Sequence, residues 1–217
     1  MIDAIKRPVA GCLACIGALI VLTGLAYEVG PFGRLDARVL NHLDSYRETS
    51  LGSVAEVFVG LADPLPQIAM IVLVCALALC LRRPRQAIAA AVLVGGANLT
   101  TQALKQLLAH HRYEPILGWG QIGPTAFPSG HSTAAMAIAL ALVLVVPRPY
   151  KPAAALIGGA FALAVGFSVV ILHHHYPSDV AGGWLVAGGW GFAVVAGLRA
   201  DQLLRAERGV QLVGDRG

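Results

Sequence analysis

The sequence predicts an all-α, polytopic membrane protein, a single six-transmembrane-helix bundle formed by residues 1–217 with both termini in the cytoplasm. The first observation is composition: 57% of the residues are hydrophobic and 13% are charged, whereas soluble domains contain about 25% charged residues. The second is a set of six long apolar runs, and the third is the position of the basic residues that flank them. The net charge is only +4 and the basic residues form no patch, so we expect no nucleic acid partner.

The six apolar runs are long enough to cross, or nearly cross, a hydrocarbon core of about 30 Å at about 1.5 Å per residue. They are Val9–Tyr27, Leu61–Leu81, Gln86–Leu107, His131–Val146, Ala154–Leu172 and Val180–Leu198. None alternates polar and apolar residues as barrel strands do, so helices are expected. Paired glycines, at Gly158-Gly159, Gly182-Gly183 and Gly188-Gly189, predict close helix packing in lipid.

The N-terminal segment has two features of exported proteins. Lys6 and Arg7 precede the first apolar run, and Val9–Cys12 resembles a lipoprotein cleavage box. No small-residue cleavage site follows, and the apolar stretch lies after Cys12 instead of before it. We therefore expect an uncleaved first spanning helix. All four cysteines fall in apolar runs, which predicts buried thiols and no disulfide framework.

The basic residues set the expected orientation. If six helices alternate, one side of the membrane carries Lys6, Arg7, Arg82, Arg83, Arg85, Arg148, Lys151, Arg199, Arg205 and Arg208. The positive-inside rule makes that side cytoplasmic. A long loop from Glu28 to Glu56, together with Gln106–Phe127 and His173–Asp179, is then expected on the outer side.

The stretch Pro128-Ser129-Gly130-His131 lies at the start of the fourth run. Serine is a favoured N-cap, glycine lets a ligand approach the backbone, and the first turn of a helix presents unpaired N–H groups. This arrangement favours an anion, phosphate above all. His131 would stand beside that anion with a side chain that titrates near neutral pH.

Lys105 and Arg112 lie seven residues apart near the outer end of the third run. Seven residues is close to two helical turns, so both side chains are expected to point the same way while the helix lasts. Asn98 and Thr101 extend this stripe inward. The alternative is that the two basic side chains simply snorkel to the membrane interface.

His173–His175 precede the sixth run, and Asp179 follows His175 by four residues. A carboxylate at this spacing can hydrogen-bond one imidazole nitrogen and leave the other as a nucleophile. A metal patch that includes the pair His110-His111 is the alternative, although consecutive histidines point in different directions.

Together these segments resemble the type 2 phosphatidic acid phosphatase (PAP2) family of membrane lipid phosphatases. The family pattern is Lys-x6-Arg-Pro, then Pro-Ser-Gly-His, then Ser-Arg-x5-His-x3-Asp. The corresponding residues here are Lys105…Arg112-Tyr113, Pro128-Ser129-Gly130-His131 and Ser168-Val169…His175…Asp179. The resemblance implies a six-helix bundle acting on a lipid phosphate held in the bilayer, with no cofactor and no metal.

The resemblance also implies a role for each residue. His175 attacks phosphorus and forms a phosphohistidine, with Asp179 orienting the imidazole. His131 protonates the leaving lipid oxygen and then activates the water that releases phosphate. The groups that neutralise the phosphoryl oxygens are Lys105, Arg112 and the backbone N–H groups of Ser129 and Gly130.

Two positions depart from the family pattern. Tyr113 replaces a proline, which is expected to alter only the loop path. Val169 replaces an arginine that helps to hold the phosphoryl group in the family. We expect a weaker phosphate grip and an acid-shifted pH optimum, with a protonated histidine replacing the arginine. The candidates for that histidine are His110, His111, His173 and His174.

The expected function is a phosphatase for a prenyl or glycerolipid phosphate or diphosphate. It is expected in the plasma or inner membrane, with its active site on the extracytoplasmic side. One alternative is a phosphotransferase that passes the phosphoryl group to an alcohol or a second lipid. Another is a weakly active or non-catalytic lipid-binding relative, because of Val169. Ion transport is not expected, since no acidic relay lies at mid-membrane.

Overall fold

The computed structural model describes the backbone of residues 3–214 and the side chains of residues 4–207. All regular secondary structure in that range is helical. The α-helices are α1 (Asp3–Glu28), α2 (Gly30–Asp44), α3 (Ser50–Leu61), α4 (Pro64–Cys80), α5 (Pro84–Leu107), α6 (Gly130–Val145), α7 (Lys151–Ile171) and α8 (Pro177–Gly214). Single 3-10 turns at Pro115–Leu117 and Arg148–Tyr150 complete the described elements.

Each of the six predicted apolar runs falls largely within a helix. Within the described residues, four helices are long and apolar enough to cross a membrane, namely α1, α5, α7 and α8. The pair α3 and α4 supplies a fifth candidate span, bent by 59°. Helix α6 is apolar but has only 16 residues, fewer than a straight span requires.

The predicted outer loop from Glu28 to Glu56 is mostly helical, so that prediction is wrong. Helix α2 buries Ala37 and Leu40 on one face, together with the charged Asp36. Its remaining positions are largely polar or exposed. A helix with so narrow an apolar face does not form a hydrophobic run, which is why hydropathy did not reveal it.

The second predicted span also begins later than expected. The helical path breaks at Ala62 and Asp63, and α4 starts at Pro64. Pro64 lacks an N–H, and its ring would clash with the preceding turn if α3 continued through it. The break therefore bends the chain between two apolar helices.

Helix α6 lies at the centre of the bundle, where it packs against α4, α5, α7 and α8. It starts after Ser129, whose hydroxyl accepts a hydrogen bond from the Ser132 N–H at 3.3 Å. It ends before Pro147, because the residue that precedes a proline is disfavoured in the helical region. Val146 is accordingly extended, with φ −67° and ψ 151°.

The two ends of α6 contact different parts of the chain. At its C-terminal end, Arg83 donates to the Val146 carbonyl at 3.3 Å. At its N-terminal end, the Ser129 N–H donates to the Asp179 carbonyl at 2.9 Å, which joins the starts of α6 and α8. Helices α5 and α7 run antiparallel to α6 and α8. The C-terminal ends of α5 and α7 therefore lie at the same end of the bundle as the starts of α6 and α8.

Glycine permits the closest helix contacts. A Cβ built on Gly183 of α8 would lie 2.6 Å from the Ser129 carbonyl oxygen. One on Gly158 of α7 would lie 2.8 Å from the Cβ of Ala139. In contrast, a Cβ on Gly159 would meet nothing within 4 Å. The prediction of glycine-mediated packing thus holds for Gly158 and Gly183 and not for Gly159.

Replacement of Gly183 tests this packing. Gly183→Ala should lower the free energy of unfolding by about 1–3 kcal/mol, because the added methyl separates the starts of α6 and α8. Thermal unfolding in detergent measures the effect. Gly197→Ala on the same helix, where a Cβ would meet nothing within 4 Å, is the matched control. Equal stability of the two variants would contradict the prediction.

Candidate active site

His175 and Asp179 form a buried pair at the start of α8. The His175 Nδ1 lies 3.3 Å from Asp179 Oδ2, and only 7% of His175 and none of Asp179 is exposed. The Tyr176 N–H donates to the same carboxylate oxygen at 2.9 Å. Asp179 therefore contacts the Nδ1 nitrogen of His175 and does not engage the second ring nitrogen, Nε2. This is the geometry that the i, i+4 spacing predicted.

The turn before α8 sets the position of His175. Helix α7 ends at Ile171, and His173 adopts a left-handed conformation with φ 61°. The N–H groups of His174 and His175 both donate to the Val169 carbonyl, at 2.9 and 3.2 Å. These bonds fold the chain back sharply, so that His175 lies beside the first turn of α8.

The surroundings of His175 favour its neutral form. Burial lowers the pKa of His175, the hydrogen bond and charge of Asp179 raise it, and the charges of Lys105 and His131 lower it again. Lys105 and His131 therefore both interact electrostatically with this imidazole. A neutral imidazole is the form that can act as a nucleophile.

Arg112 reaches the site by a different route from the one predicted. Helix α5 ends at Leu107, so Arg112 lies in the following loop and shares no helical stripe with Lys105. Its Nη2 pairs with Asp179, and its Nη1 donates to the Ser178 hydroxyl at 2.9 Å. The expectation that one helix presents both cations is therefore wrong.

Tyr176 supports the Arg112 guanidinium from one face. The guanidinium carbon lies 4.1 Å from the ring centroid, within the range of a cation–π contact. Burial raises the pKa of Tyr176 to about 12. Its hydroxyl thus stays protonated, and it donates to the Arg112 carbonyl at 3.2 Å.

Asp36, which sequence reasoning missed, completes this cluster. Its Oδ2 accepts from Arg112 Nη1 at 3.2 Å and from the Ser178 hydroxyl, and its Oδ1 accepts from the Ser178 N–H at 3.0 Å. Burial raises the pKa of Asp36, whereas the hydrogen bonds from Ser178 and the charge of Arg112 lower it. The sequence feature that could have identified Asp36 is a carboxylate on the apolar face of an amphipathic helix.

The Lys105 side chain and the Gly130 backbone face each other. Lys105 lies in the last turn of α5 and is partly buried. A Cβ built on Gly130 would lie 3.9 Å from Lys105 Cε. The Lys105 side chain thus lies beside the first turn of α6, an arrangement that suits an anion.

Ser129 departs from the prediction in one respect. Its N–H donates to the Asp179 carbonyl and its hydroxyl accepts from Ser132, so the Ser129 N–H is not available to a ligand. The Thr133 N–H bonds the Ser129 carbonyl at 3.0 Å. The N–H groups of Gly130 and His131, at the first two positions of α6, are the ones that face the site.

His131 stands at the exposed side of the site. Its side chain is 28% exposed, and its Nε2 lies 3.1 Å from Asp63 Oδ1. The charge of His131 lowers the pKa of both His174 and His175. His131 thus interacts electrostatically with both His174 and His175.

The other histidines have different surroundings. The His173 Nε2 lies 2.7 Å from the Gly120 carbonyl oxygen, and His110 packs edge-on against Tyr27. Burial lowers the pKa of His174, and the charges of His175, His131, Arg47 and His173 lower it further. Among the four candidate replacements for the motif arginine, His174 is the one that interacts electrostatically with both site histidines.

The described residues contain no group of three or more His, Cys, Asp and Glu side chains placed to bind a metal.

Val169 is buried among apolar side chains. Its side chain is fully buried in an apolar cluster with Ala37, Leu40 and Tyr176. An arginine at this position would bring a guanidinium into that cluster. Helix α2 therefore occupies the volume around the position where the family pattern has arginine.

Comparison with known proteins identifies the family of this chain. A sequence profile described as the PAP2 superfamily matches residues 86–202, which is more than half of the chain. The chain belongs to the PAP2 superfamily. The matched range contains all three motif segments, from Lys105 to Asp179, so the resemblance seen in the sequence is confirmed.

Two relatives extend this comparison. Lipid A 1-phosphatase of Rhizobium etli is 45% identical over 103 residues, covering 43% of this chain and 42% of that protein. The match thus spans less than half of the relative's length. A crystal structure of a transmembrane PAP2-type phosphatidylglycerolphosphate phosphatase from Bacillus subtilis has a TM-score of 0.69 at 22% identity, over 88% of this chain and 96% of that one. At that identity the similarity shows a shared fold.

The Arg112 cluster generates a second prediction. Arg112→Lys should destabilise this PAP2 protein by about 1–3 kcal/mol, because an ammonium cannot bridge Asp36 and Asp179 while lying flat on Tyr176. Thermal unfolding measures this loss. Arg38→Lys, at an exposed position on α2, is the control and should be neutral. A neutral result for Arg112→Lys would show that the bidentate geometry is unimportant.

Proposed function

We propose that this protein hydrolyses a lipid phosphate or diphosphate through a phosphohistidine on His175. The observation that carries the proposal is the buried His175–Asp179 pair, placed where Lys105 and the start of α6 converge. A binding protein needs cations and N–H donors at such a site. It does not need a desolvated, neutral imidazole that is oriented by a carboxylate.

The chemistry proceeds in two balanced steps. In the first, His175 Nε2 forms a bond to phosphorus while the bond from phosphorus to the lipid oxygen breaks, and His131 gives that oxygen a proton. In the second, His131 takes a proton from water, the hydroxide attacks phosphorus, and the bond from Nε2 to phosphorus breaks. The products are the lipid alcohol (or monophosphate) and inorganic phosphate.

The phosphoryl oxygens are neutralised by Lys105 and by the N–H groups of Gly130 and His131. Arg112 contributes as well, because a guanidinium has five N–H donors and three serve Asp36, Ser178 and Asp179. Two donors are left for phosphate. The departure at Val169 thus removes one cation from a site that retains two, which supports an active enzyme over a non-catalytic relative.

We place the site at the outer membrane surface of a six-span protein. Four long helices, the bent pair of α3 and α4, and the short α6 supply the six crossings. The basic residues Arg82, Arg83 and Arg85 lie at the end opposite the site, which the positive-inside rule places in the cytoplasm. Both termini then lie on the cytoplasmic side.

An apolar cavity offers space for a lipid chain below the site. It has a volume of about 300 Å³ and lies between α1, α5 and α8. Its lining includes Cys12, Ile16, Leu19, Leu185 and Trp190. Such a lining recognises hydrocarbon and does not distinguish prenyl from acyl chains, so the headgroup sets the specificity.

Phosphate release from purified protein tests the proposal. A suitable panel contains phosphatidate, phosphatidylglycerol phosphate, prenyl phosphate, prenyl diphosphate and lipid A 1-phosphate. His175→Ala should abolish release, and His131→Ala should slow it about 10²–10⁴-fold, the usual contribution of a general acid–base group. His42→Ala, on the exposed face of α2, is the control. Transfer of phosphate to an added alcohol in place of release would favour the phosphotransferase, and unchanged activity of His175→Ala would refute the mechanism.

The lowered pKa of His175 predicts the pH profile. The nucleophile must be neutral, and a pKa below the ordinary value of about 6.5 keeps it neutral as the pH falls. The acid limb of kcat/KM should therefore lie below about pH 6.5. Asp179→Asn removes the two influences that raise the pKa of His175, so the limb should move further to the acid side while the rate falls.

Asp201→Asn, at the far end of α8, controls for a general effect of removing a carboxylate. It should leave the pH profile unchanged. A shift of the Asp179→Asn limb toward higher pH would contradict the assignment of His175 as the group that must be neutral.

A further inference from the structure

The break between α3 and α4 brings a second carboxylate to the site. Asp63 lies in this break, and its Oδ1 is 3.1 Å from His131 Nε2. The two residues are 68 positions apart in the chain. The site therefore contains two histidine–aspartate pairs, one buried at the start of α8 and one partly exposed at the start of α6.

The local sequence explains why this carboxylate is available to His131. Asp63 occupies the N-cap position of α4, where an aspartate ordinarily accepts from the N–H of the second or third helical residue. The third residue here is Pro66, which has no N–H, and the first is Pro64. Asp63 makes no side-chain cap hydrogen bond. Pro66 thus removes one of the two usual partners, and the Asp63 carboxylate does not accept from the other, the Leu65 N–H.

Stability does not account for the contact. The two side chains are 28% and 55% exposed, and pairs with such exposure contribute little to folding. The pair does, however, include His131, the residue to which the proposed mechanism assigns both proton transfers.

We propose that Asp63 is a positioning residue for His131, an inference that rests on the proposed function. Asp63 accepts the Nε2–H of His131 and so fixes the tautomer and ring orientation. Nδ1 is then the nitrogen that exchanges protons with the reactants. In the first step the protonated imidazole gives its Nδ1 proton to the leaving oxygen, and in the second Nδ1 takes a proton from water. The Nε2 proton stays on His131 and remains hydrogen-bonded to Asp63 throughout.

Leaving groups of different basicity test this role. A short-chain phosphatidate releases an alkoxide, which needs the proton from His131, whereas nitrophenyl phosphate releases a stable phenolate, which does not. With enzyme in excess over substrate, release of the alcohol or nitrophenol in a single turnover reports the first step alone. Asp63→Asn should slow phosphatidate cleavage about 10- to 100-fold and nitrophenyl phosphate cleavage less than about threefold.

Two further variants separate positioning from structure. Asp63→Glu keeps the carboxylate and should recover phosphatidate cleavage to within about fivefold of wild type. Glu56→Gln, an exposed carboxylate of α3, should leave both rates unchanged. Equal losses on both substrates, or a loss that glutamate does not restore, would overturn the inference in favour of a scaffolding role. No loss on either substrate would overturn it outright.

A measurement independent of turnover distinguishes this inference from the proposed function. ¹⁵N NMR of histidine-labelled protein, with the His131 signals assigned through His131→Gln, reports which ring nitrogen carries the proton. Wild type should show the Nε2–H form and Asp63→Asn should lose it. If wild type cleaves no phosphate ester, the proposed function fails. If the tautomer is the same with and without the Asp63 carboxylate, the present inference fails.

Discussion

Asp179 is completely buried, and a buried carboxylate is stable only when it is paired and fully hydrogen-bonded. Its side chain contacts His175, Arg112 and the Tyr176 N–H, while its carbonyl accepts from Ser129. One residue thus joins the loop after α5, the start of α6 and the turn before α8. The three sequence motifs are brought together because each hydrogen-bonds the same residue, two of them through its carboxylate and the Ser129 turn through its backbone carbonyl. The positions of His175, Arg112 and the Ser129 turn therefore depend on one another.

The parts of this arrangement that could be predicted from sequence are local. His175 and Asp179 are four residues apart, and Ser129 caps the helix that it precedes, so short-range geometry defines both. The long-range contacts could not be predicted. Asp36 and Asp63 lie in segments with no recognisable motif, and each meets its partner only because α2 and the break before α4 pack at the same end of the bundle as the start of α6. Arg112 falls between these cases: its motif and the end of the apolar run at Leu107 were evident, but the loop path that brings its side chain to Asp179 was not.

Val169 and Asp36 both alter the charge around Arg112. The family pattern has a cation at position 169, whereas this chain has a valine buried in one cluster with Ala37 and Leu40 of α2. The same helix supplies Asp36, which shares Arg112 with Asp179. A valine in place of the motif arginine and a carboxylate beside Arg112 both make this cluster less positive. In the proposed mechanism, Lys105 and Arg112 are therefore the two cations that neutralise the phosphoryl oxygens.

The length of α6 has a consequence for the membrane itself. Sixteen residues form a helix about 24 Å long, which is shorter than a hydrocarbon core of about 30 Å. In the proposed orientation its C-terminal end is level with the basic loops, so its first turn and the proposed phosphate site lie several ångströms beneath the opposite surface. Hydrophobic mismatch of this kind is relieved by local thinning of the bilayer. In the proposed mechanism, lipid headgroups would then reach the histidines by sinking into a depression around the protein, without any lipid having to leave its leaflet.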